Sequence, residues 1–122
     1  MDDLVQWLGE QLDEDERTTR STVWEGSGNK LDWELMASAT IDVGGDEFYV
    51  GDRTVANHMM AWEPARVLRE IDAKRDLLLF AKGIHDYHET FMTGVAARLE
   101  KTLRLYALAY AARSGYRDEW KP

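Results

Sequence analysis

The chain has 122 residues, a formal net charge of −8 and no cysteine. This length suits one domain with a hydrophobic core, and the lack of cysteine excludes disulfides, thiol catalysis and thiolate metal sites. No apolar run approaches the roughly 18–20 residues that a membrane span needs, and the acidic N-terminus is unlike a signal peptide. We therefore expect a single cytoplasmic domain over residues 1–122, without membrane contact.

Negative charge is concentrated in the first half of the chain. Residues 1–61 hold 14 acidic and 4 basic side chains, whereas residues 62–122 hold 9 acidic and 11 basic ones. Such a first half repels the phosphates of nucleic acids, so we expect no nucleic-acid binding. It suits a basic protein partner, or simply solubility.

The chain opens with a predicted helix that Asp2 or Asp3 can cap. Leu4, Leu8 and Leu12 share one side of this helix, which is typical of an amphipathic element. Four consecutive acids follow, which we call the acidic run: Asp13, Glu14, Asp15 and Glu16.

Two arginines lie close behind the acidic run. Arg17 and Arg20 have the spacing of local ion pairs with it. Exposed pairs contribute only about 0–1 kcal/mol each, so they do not explain why four acids stand together. We predict that the acidic run binds a partner surface rich in lysine or arginine, because opposed potentials speed encounter and select the partner.

Residues 31–43 alternate between apolar and polar side chains. This period of two predicts one half-buried strand, or two collinear ones. Trp24, in the glycine-containing segment before it, is expected in the core or as a lid over it. The sheet therefore begins after a loop.

Gly44-Gly45 predicts a two-residue hairpin turn after this strand. A turn there places Ile41 opposite Phe48, and both side chains then share the buried face. The same register makes Asp42 face Glu47, a pair of like charges.

The second half of the chain is predicted to be helical. A short helix is predicted within residues 52–62, with Ala56, Met59 and Met60 inward. Pro64 suits the first turn of a long helix, which we expect to end or kink between Thr90 and Gly94.

A last helix over residues 95–113 is predicted before Gly115 stops it. We expect Tyr116 or Trp120 to dock the tail, residues 115–122, onto the domain. The buried positions of this helix are expected to be Val95, Leu99, Leu103, Tyr106 and Tyr110.

The order of these elements indicates an α+β fold. It consists of an N-terminal helix, a small antiparallel β-meander, a short helix, a long proline-initiated helix and a C-terminal helix. We expect the later helices to pack on one face of the sheet.

His85, His88 and Glu89 form the best candidate for a metal site. On a helix they lie on one face, and two imidazoles with a carboxylate are plausible ligands of Zn²⁺ or Fe²⁺. Their spacing differs from the HExxH pattern, and no fourth ligand is identifiable. The simpler interpretation places His88 at the hydrogen-bonded edge of the core and His85 on the surface, with no cofactor.

Three stretches together resemble an uncharacterised family of small proteins from actinobacteria and their phages. They are LDEDE (residues 12–16), PARVLREIDAKR (residues 64–75) and LRLYALAYAARSGYRDEWKP (residues 103–122), and Trp24 also fits. Ala109 departs from the proline that the family usually has before Tyr110. The resemblance implies no established activity, and residues 79–98 match nothing in it.

A weaker similarity links residues 57–64 to small accessory proteins of lambda-like phages. Both resemblances imply a phage or prophage accessory protein that acts on a host factor. We therefore expect a non-catalytic protein that works by protein–protein contact through an acidic face. The alternatives are a small metal-dependent hydrolase that uses His85, His88 and Glu89, and an acidic mimic of nucleic acid.

Overall fold

The computed structural model describes residues 1–87 and 93–122, with side chains for residues 1–84 and 94–122. The elements are α1 (Asp2–Arg20), β1 (Glu34–Met36), β2 (Thr40–Asp42), β3 (Glu47–Tyr49), α2 (Arg53–Ala61), α3 (Pro64–Tyr87) and α4 (Thr93–Leu108). This order confirms the predicted α+β fold, with an antiparallel sheet of strand order β1-β2-β3. The predicted end of the long helix falls largely outside the described residues.

The chain divides into two compact units. The helical unit consists of Met1–Glu14 and Ala73–Pro122, and the sheet unit consists of Asp15–Asp72. Both α1 and α3 contribute residues to each unit. A single domain over residues 1–122 stays a prediction.

The core of the helical unit comes from one stripe on each of its helices. α1 buries Leu4, Trp7, Leu8, Gln11 and Leu12, which follow the spacing of three and four that an amphipathic helix shows. The buried residues of the other two helices in this unit are Leu78, Ala81 and Ile84 on α3, and Leu99, Leu103 and Ala107 on α4.

Two predictions for the last helix are wrong. Val95 and Tyr106 are 44% and 41% exposed, although both were expected in the core. α4 also ends at Leu108, five residues before the predicted end, and the chain continues in tight turns such as Tyr110 N–H to Ala107 C=O. Gly115 then takes a φ of +89°, which favours glycine.

The tail of the helical unit ends in a short 3-10 turn, Asp118–Trp120. Trp120 is 6% exposed, and its ring centroid lies 5.3 Å from that of Trp7. The indole N–H of Trp7 donates to the carbonyl oxygen of Ser114 at 3.1 Å. These contacts place the side chain of Trp120 within the core of the helical unit.

The sheet confirms the predicted register of its second hairpin. Ile41 pairs with Phe48, and Asp42 pairs with Glu47. The Gly44-Gly45 turn follows, with a φ of +107° at Gly44. The backbone N–H of Val43 donates to the carbonyl oxygen of Asp46 at 3.0 Å, so the hairpin turns at the two glycines as predicted.

The predicted straight strand over residues 31–43 is wrong, because β1 folds back on β2. Leu35 pairs with Ile41, and Ser38 and Ala39 between the strands take left-handed φ values of 63° and 54°. A continuing strand cannot contain such residues. A three-residue connection keeps odd-numbered side chains on one face, so the alternation is the same for both arrangements.

One face of the sheet packs against α2. Asp52 caps this helix by accepting a hydrogen bond from the backbone N–H of Val55 at 3.1 Å. The core beneath it consists of Ala39, Ile41, Val43 and Ala56, with Trp33, Leu35, Val50 and Met60 packed against it.

Phe48 and Met59 do not join this core as predicted. Phe48 is 55% exposed and Met59 is 39% exposed, although Phe48 lies on the same sheet face as Ile41. The nine residues of α2 cover the part of that face nearer to β1 and β2. The edge at β3 therefore stays open.

Candidate binding surface

Most of the predicted metal site lies outside the described part of the chain. His88 and Glu89 are not described, and His85 is described in its backbone only. Among the described side chains, no group of three His, Asp or Glu residues is placed to hold a metal ion. The metal site stays a prediction.

Arginines of the same chain form ion pairs with carboxylates of the acidic run. In the helical unit, Asp13 Oδ1 lies 2.8 Å from Arg75 and Glu14 Oε2 lies 3.8 Å from Arg113. In the sheet unit, Glu16 Oε2 lies 2.9 Å from Arg20. Of these arginines only Arg20 was predicted, because the other two are far along the sequence.

A second set of acids lies on the face of the sheet opposite Ile41. Glu34 pairs with Asp42, and Asp42 pairs with Glu47, so their carboxylates stand side by side across three strands. We call these three residues the acidic row. Among the described residues, none of the three forms an ion pair; Asp42 Oδ1 accepts one hydrogen bond, from Gly44 N–H at 2.7 Å.

The other face of the sheet carries a groove with a volume of about 440 Å³. Ligand pockets typically span ~300–1,000 Å³, so the groove is large enough to hold a side chain or a short segment. No pattern in the sequence indicates this groove, since only tertiary folding brings the loop after α1 to the sheet. Its lining residues are Ser21, Thr22, Trp24, Asn29, Trp33, Ile41, Val43, Phe48 and Met59.

The loop that carries Trp24 is held by its own hydrogen bonds. The hydroxyl oxygen of Ser27 accepts from the backbone N–H groups of Trp24 and Asn29, at 3.3 and 3.2 Å. The side-chain amide of Asn29 donates to the carbonyl oxygen of Thr22 at 2.9 Å. Trp24 was predicted in the core or as a lid over it; at 64% exposed it is not in the core, and it lines the groove beside the buried Ile41 and Val43.

The Gly44-Gly45 turn touches this loop. A Cβ atom on Gly45 would clash with the carbonyl oxygen of Ser27 and would lie 2.7 Å from Oδ1 of Asn29. Glycine is therefore required there by this close approach. Together the turn and the loop hold one wall of the groove in place.

Cations of the chain cover several of its other aromatic rings. Arg66 lies 4.4 Å from the centroid of Trp62, and similar contacts join Lys74 to Tyr106, Arg113 to Tyr110 and Arg117 to Trp120. Among the described residues, no cation lies over Trp24 or Phe48. The two aromatic rings of the groove differ in this respect from the four rings above.

A smaller cavity of about 220 Å³ in the helical unit is lined by Asp3, Arg104, Arg117 and Glu119, among others. Arg117 lies 3.0 Å from Asp3 and 3.4 Å from Glu119. The hydrogen bond with Asp3, followed by that with Glu119, raises the pKa of Arg117 above its ordinary value. The acidic and basic side chains that line this cavity, including Glu100, pair with one another, so they do not mark it as a site for a charged ligand.

None of the helices in the described part of the chain combines the length and apolar character that a membrane crossing requires. A comparison with protein families matches the whole chain, residues 1–122, to a family of unknown function, DUF6221. This confirms that the sequence resembles a family without an assigned activity. Comparisons with curated proteins and with solved structures find no match.

Proposed function

We propose that this chain, which belongs to the family of unknown function DUF6221, is a non-catalytic protein that acts by protein–protein contact through an acidic surface. The acidic row supports this proposal most strongly. Like charges directly opposite each other on a sheet are destabilising, and no cation among the described residues pairs with Glu34, Asp42 or Glu47. A partner rich in lysine or arginine would turn that repulsion into attraction and specificity.

We propose that the acidic run is a second place where a basic partner can bind. The side chains of Asp13 and Glu14 remain 61% and 54% exposed in spite of their arginine contacts. Exposed pairs contribute little to stability, so a basic partner can compete for these carboxylates. The acidic row has no such competitor among the described side chains and is expected to contribute more.

The proposal extends to the setting in which the protein acts. The resemblance of residues 12–16, 64–75 and 103–122 to small actinobacterial and actinophage proteins supports a phage or prophage accessory protein. Such a protein would act on a host factor in the bacterial cytoplasm. The basic partner is then a host protein.

A capture experiment from actinobacterial lysate tests the proposal. The triple variant Glu34→Gln, Asp42→Asn and Glu47→Gln removes the charge of the acidic row and keeps side-chain size. A matched control removes three exposed charges elsewhere, in Glu10→Gln, Asp72→Asn and Asp76→Asn. Attraction between exposed charges is screened by salt, so capture through the acidic row should weaken as the salt concentration rises. We expect the first variant to lose this salt-dependent capture and the control variant to retain it.

Three outcomes would overturn the proposal. Equal capture by both triple variants would mean that net charge, not the acidic row, attracts the partner. Displacement of the captured protein by duplex DNA would favour an acidic mimic of nucleic acid. Retention of a transition metal near stoichiometry, lost on substitution of His85, His88 or Glu89, would favour the hydrolase.

A further inference from the structure

We propose that the groove of the sheet unit is a docking site for a basic peptide segment of the partner, which inserts one bulky apolar side chain flanked by lysine or arginine. This inference rests on the proposed function and assigns a second contact to the same partner. Its basis is the combination of an open apolar groove, a surplus of acid in the segment that lines it, and aromatic faces that no cation covers among the described residues.

The walls of the groove carry apolar side chains that are exposed to solvent. Trp24, Phe48 and Met59 are 64%, 55% and 39% exposed, and they line one cavity together with the buried Ile41 and Val43. Exposed apolar side chains that gather in one concave place mark interaction sites more often than scattered ones do. Tryptophan is enriched among the residues that dominate binding energy, so Trp24 is the expected anchor.

Charge decides what kind of segment fits. Residues 21–52, which supply all of the lining except Met59, contain seven acidic residues, and Lys30 is their single basic residue. Three of the seven form the acidic row on the opposite face of the thin sheet, and the other four are Glu25, Asp32, Asp46 and Asp52. Their field repels an acidic peptide or a nucleic acid and attracts a basic one. A second copy of this chain, with a net charge of −8, is disfavoured for the same reason.

The free aromatic faces give the flanking cations a place to bind. Elsewhere in the chain an arginine lies 4.4 Å from Trp62 and another lies 5.3 Å from Trp120. Lysine and arginine are attracted to the face of an aromatic ring, and most strongly to tryptophan. Trp24 offers such a face without a cation of its own among the described residues.

Binding of a synthetic peptide to the full chain tests the inference. The probe is an acetylated and amidated nonapeptide, Gly-Lys-Gly-Lys-Phe-Lys-Gly-Lys-Gly. One control peptide replaces Phe by Ala, and the other replaces each Lys by Glu. Each of the five tryptophans of the chain contributes one indole N–H signal to a ¹H–¹⁵N spectrum. We expect the probe to move the signals of Trp24 and Trp33 and to leave that of the buried Trp7 unchanged.

Substitutions in β3 provide a matched comparison. Phe48 lines the groove, whereas its neighbour Tyr49 is 76% exposed on the opposite face of the same strand. We expect Phe48→Ala and Trp24→Ala each to weaken the probe about tenfold, as loss of an interface anchor does, and Tyr49→Ala to change its affinity less than about twofold. If Phe48→Ala disturbs the strand and fails to fold, Trp24→Ala still tests the groove, because Trp24 lies on a loop.

Four results would overturn the inference: no binding of the probe, equal binding of the alanine peptide, equal binding of the glutamate peptide, or equal loss in Tyr49→Ala. The proposed function fails separately. If the probe does not bind but neutralising the acidic row abolishes lysate capture, the docking site is wrong and the function stands. If the probe binds as expected but the triple variant of the acidic row captures the same protein from lysate as the wild type does, the docking site stands and the function through that row is wrong.

Discussion

In the helical unit the ring centroid of Trp7 lies 5.3–6.4 Å from the ring centroids of Tyr110, Tyr116 and Trp120. In the sheet unit, by contrast, Trp24 and Phe48 are more than half exposed and line an open groove. Aromatic side chains thus hold one unit together and form the surface of the other. The number of aromatic residues in a sequence does not tell these uses apart, since each depends on what tertiary folding brings alongside.

Charge shows the same contrast. In the helical unit Asp3 pairs with Arg117, Asp13 with Arg75 and Glu100 with Arg104. In the sheet unit the acidic row forms no ion pair among the described residues. These acids of the helical unit therefore lie beside arginines, whereas those of the acidic row lie beside one another.

The largest expected effect tests the aromatic side of this comparison. Trp7→Ala removes a side chain that is 7% exposed and a hydrogen bond to Ser114, so we expect it to lower the free energy of unfolding by about 3–5 kcal/mol. Trp24→Ala changes an exposed side chain and should cost at most about 0.5–1 kcal/mol. Urea titrations of both variants measure the difference. Similar losses would show that Trp24 is structural.

An intermediate effect is expected in the turn that holds the groove. Gly45→Ala places a methyl group against the Ser27 carbonyl oxygen, and such overpacking typically costs about 1–3 kcal/mol. A urea titration gives the loss of stability, and the probe peptide should bind more weakly because the loop that carries Trp24 must shift. Gly26→Ala is the matched control, since a Cβ there meets no atom within 4 Å, although its φ of +85° carries some strain of its own. Unchanged probe binding in Gly45→Ala would show that the turn does not support the groove.

The smallest effects are expected to have opposite signs in the two units. Glu47→Gln relieves repulsion from Asp42 and should stabilise the protein by roughly 0.2–1 kcal/mol. Asp13→Asn weakens the contact with Arg75 and should destabilise it by about 0–1 kcal/mol. Thermal melts at low salt measure both shifts. A loss of stability in Glu47→Gln would mean that the acidic row contributes to the fold.

Local rules predicted the elements and the second hairpin well. Gly44-Gly45 leaves only one register that keeps Ile41 and Phe48 on the same face, and the structure has that register. Pro64 likewise marks the first residue of α3. In both cases the information lies within a few residues of the feature.

The first hairpin and the acidic row could not be predicted in this way. An alternation with period two is unchanged when a three-residue connection reverses the strand, and residues 37–39 contain no glycine or asparagine to mark a turn. Without that reversal Glu34 has no reason to lie beside Asp42. The pairs of Asp13 with Arg75 and Glu14 with Arg113 join residues far apart in the chain, where helix spacing gives no guidance.

The turn between β1 and β2 limits how far the sequence can vary there. Ser38 and Ala39 both take positive φ values, which asparagine, aspartate and glycine tolerate best. Ser38 is exposed and can accept any of these three, but Ala39 is 5% exposed and lies in the core beneath α2. Glycine is the replacement that suits both the conformation and the space at Ala39, so relatives that keep this hairpin should vary freely at the first position and hardly at the second.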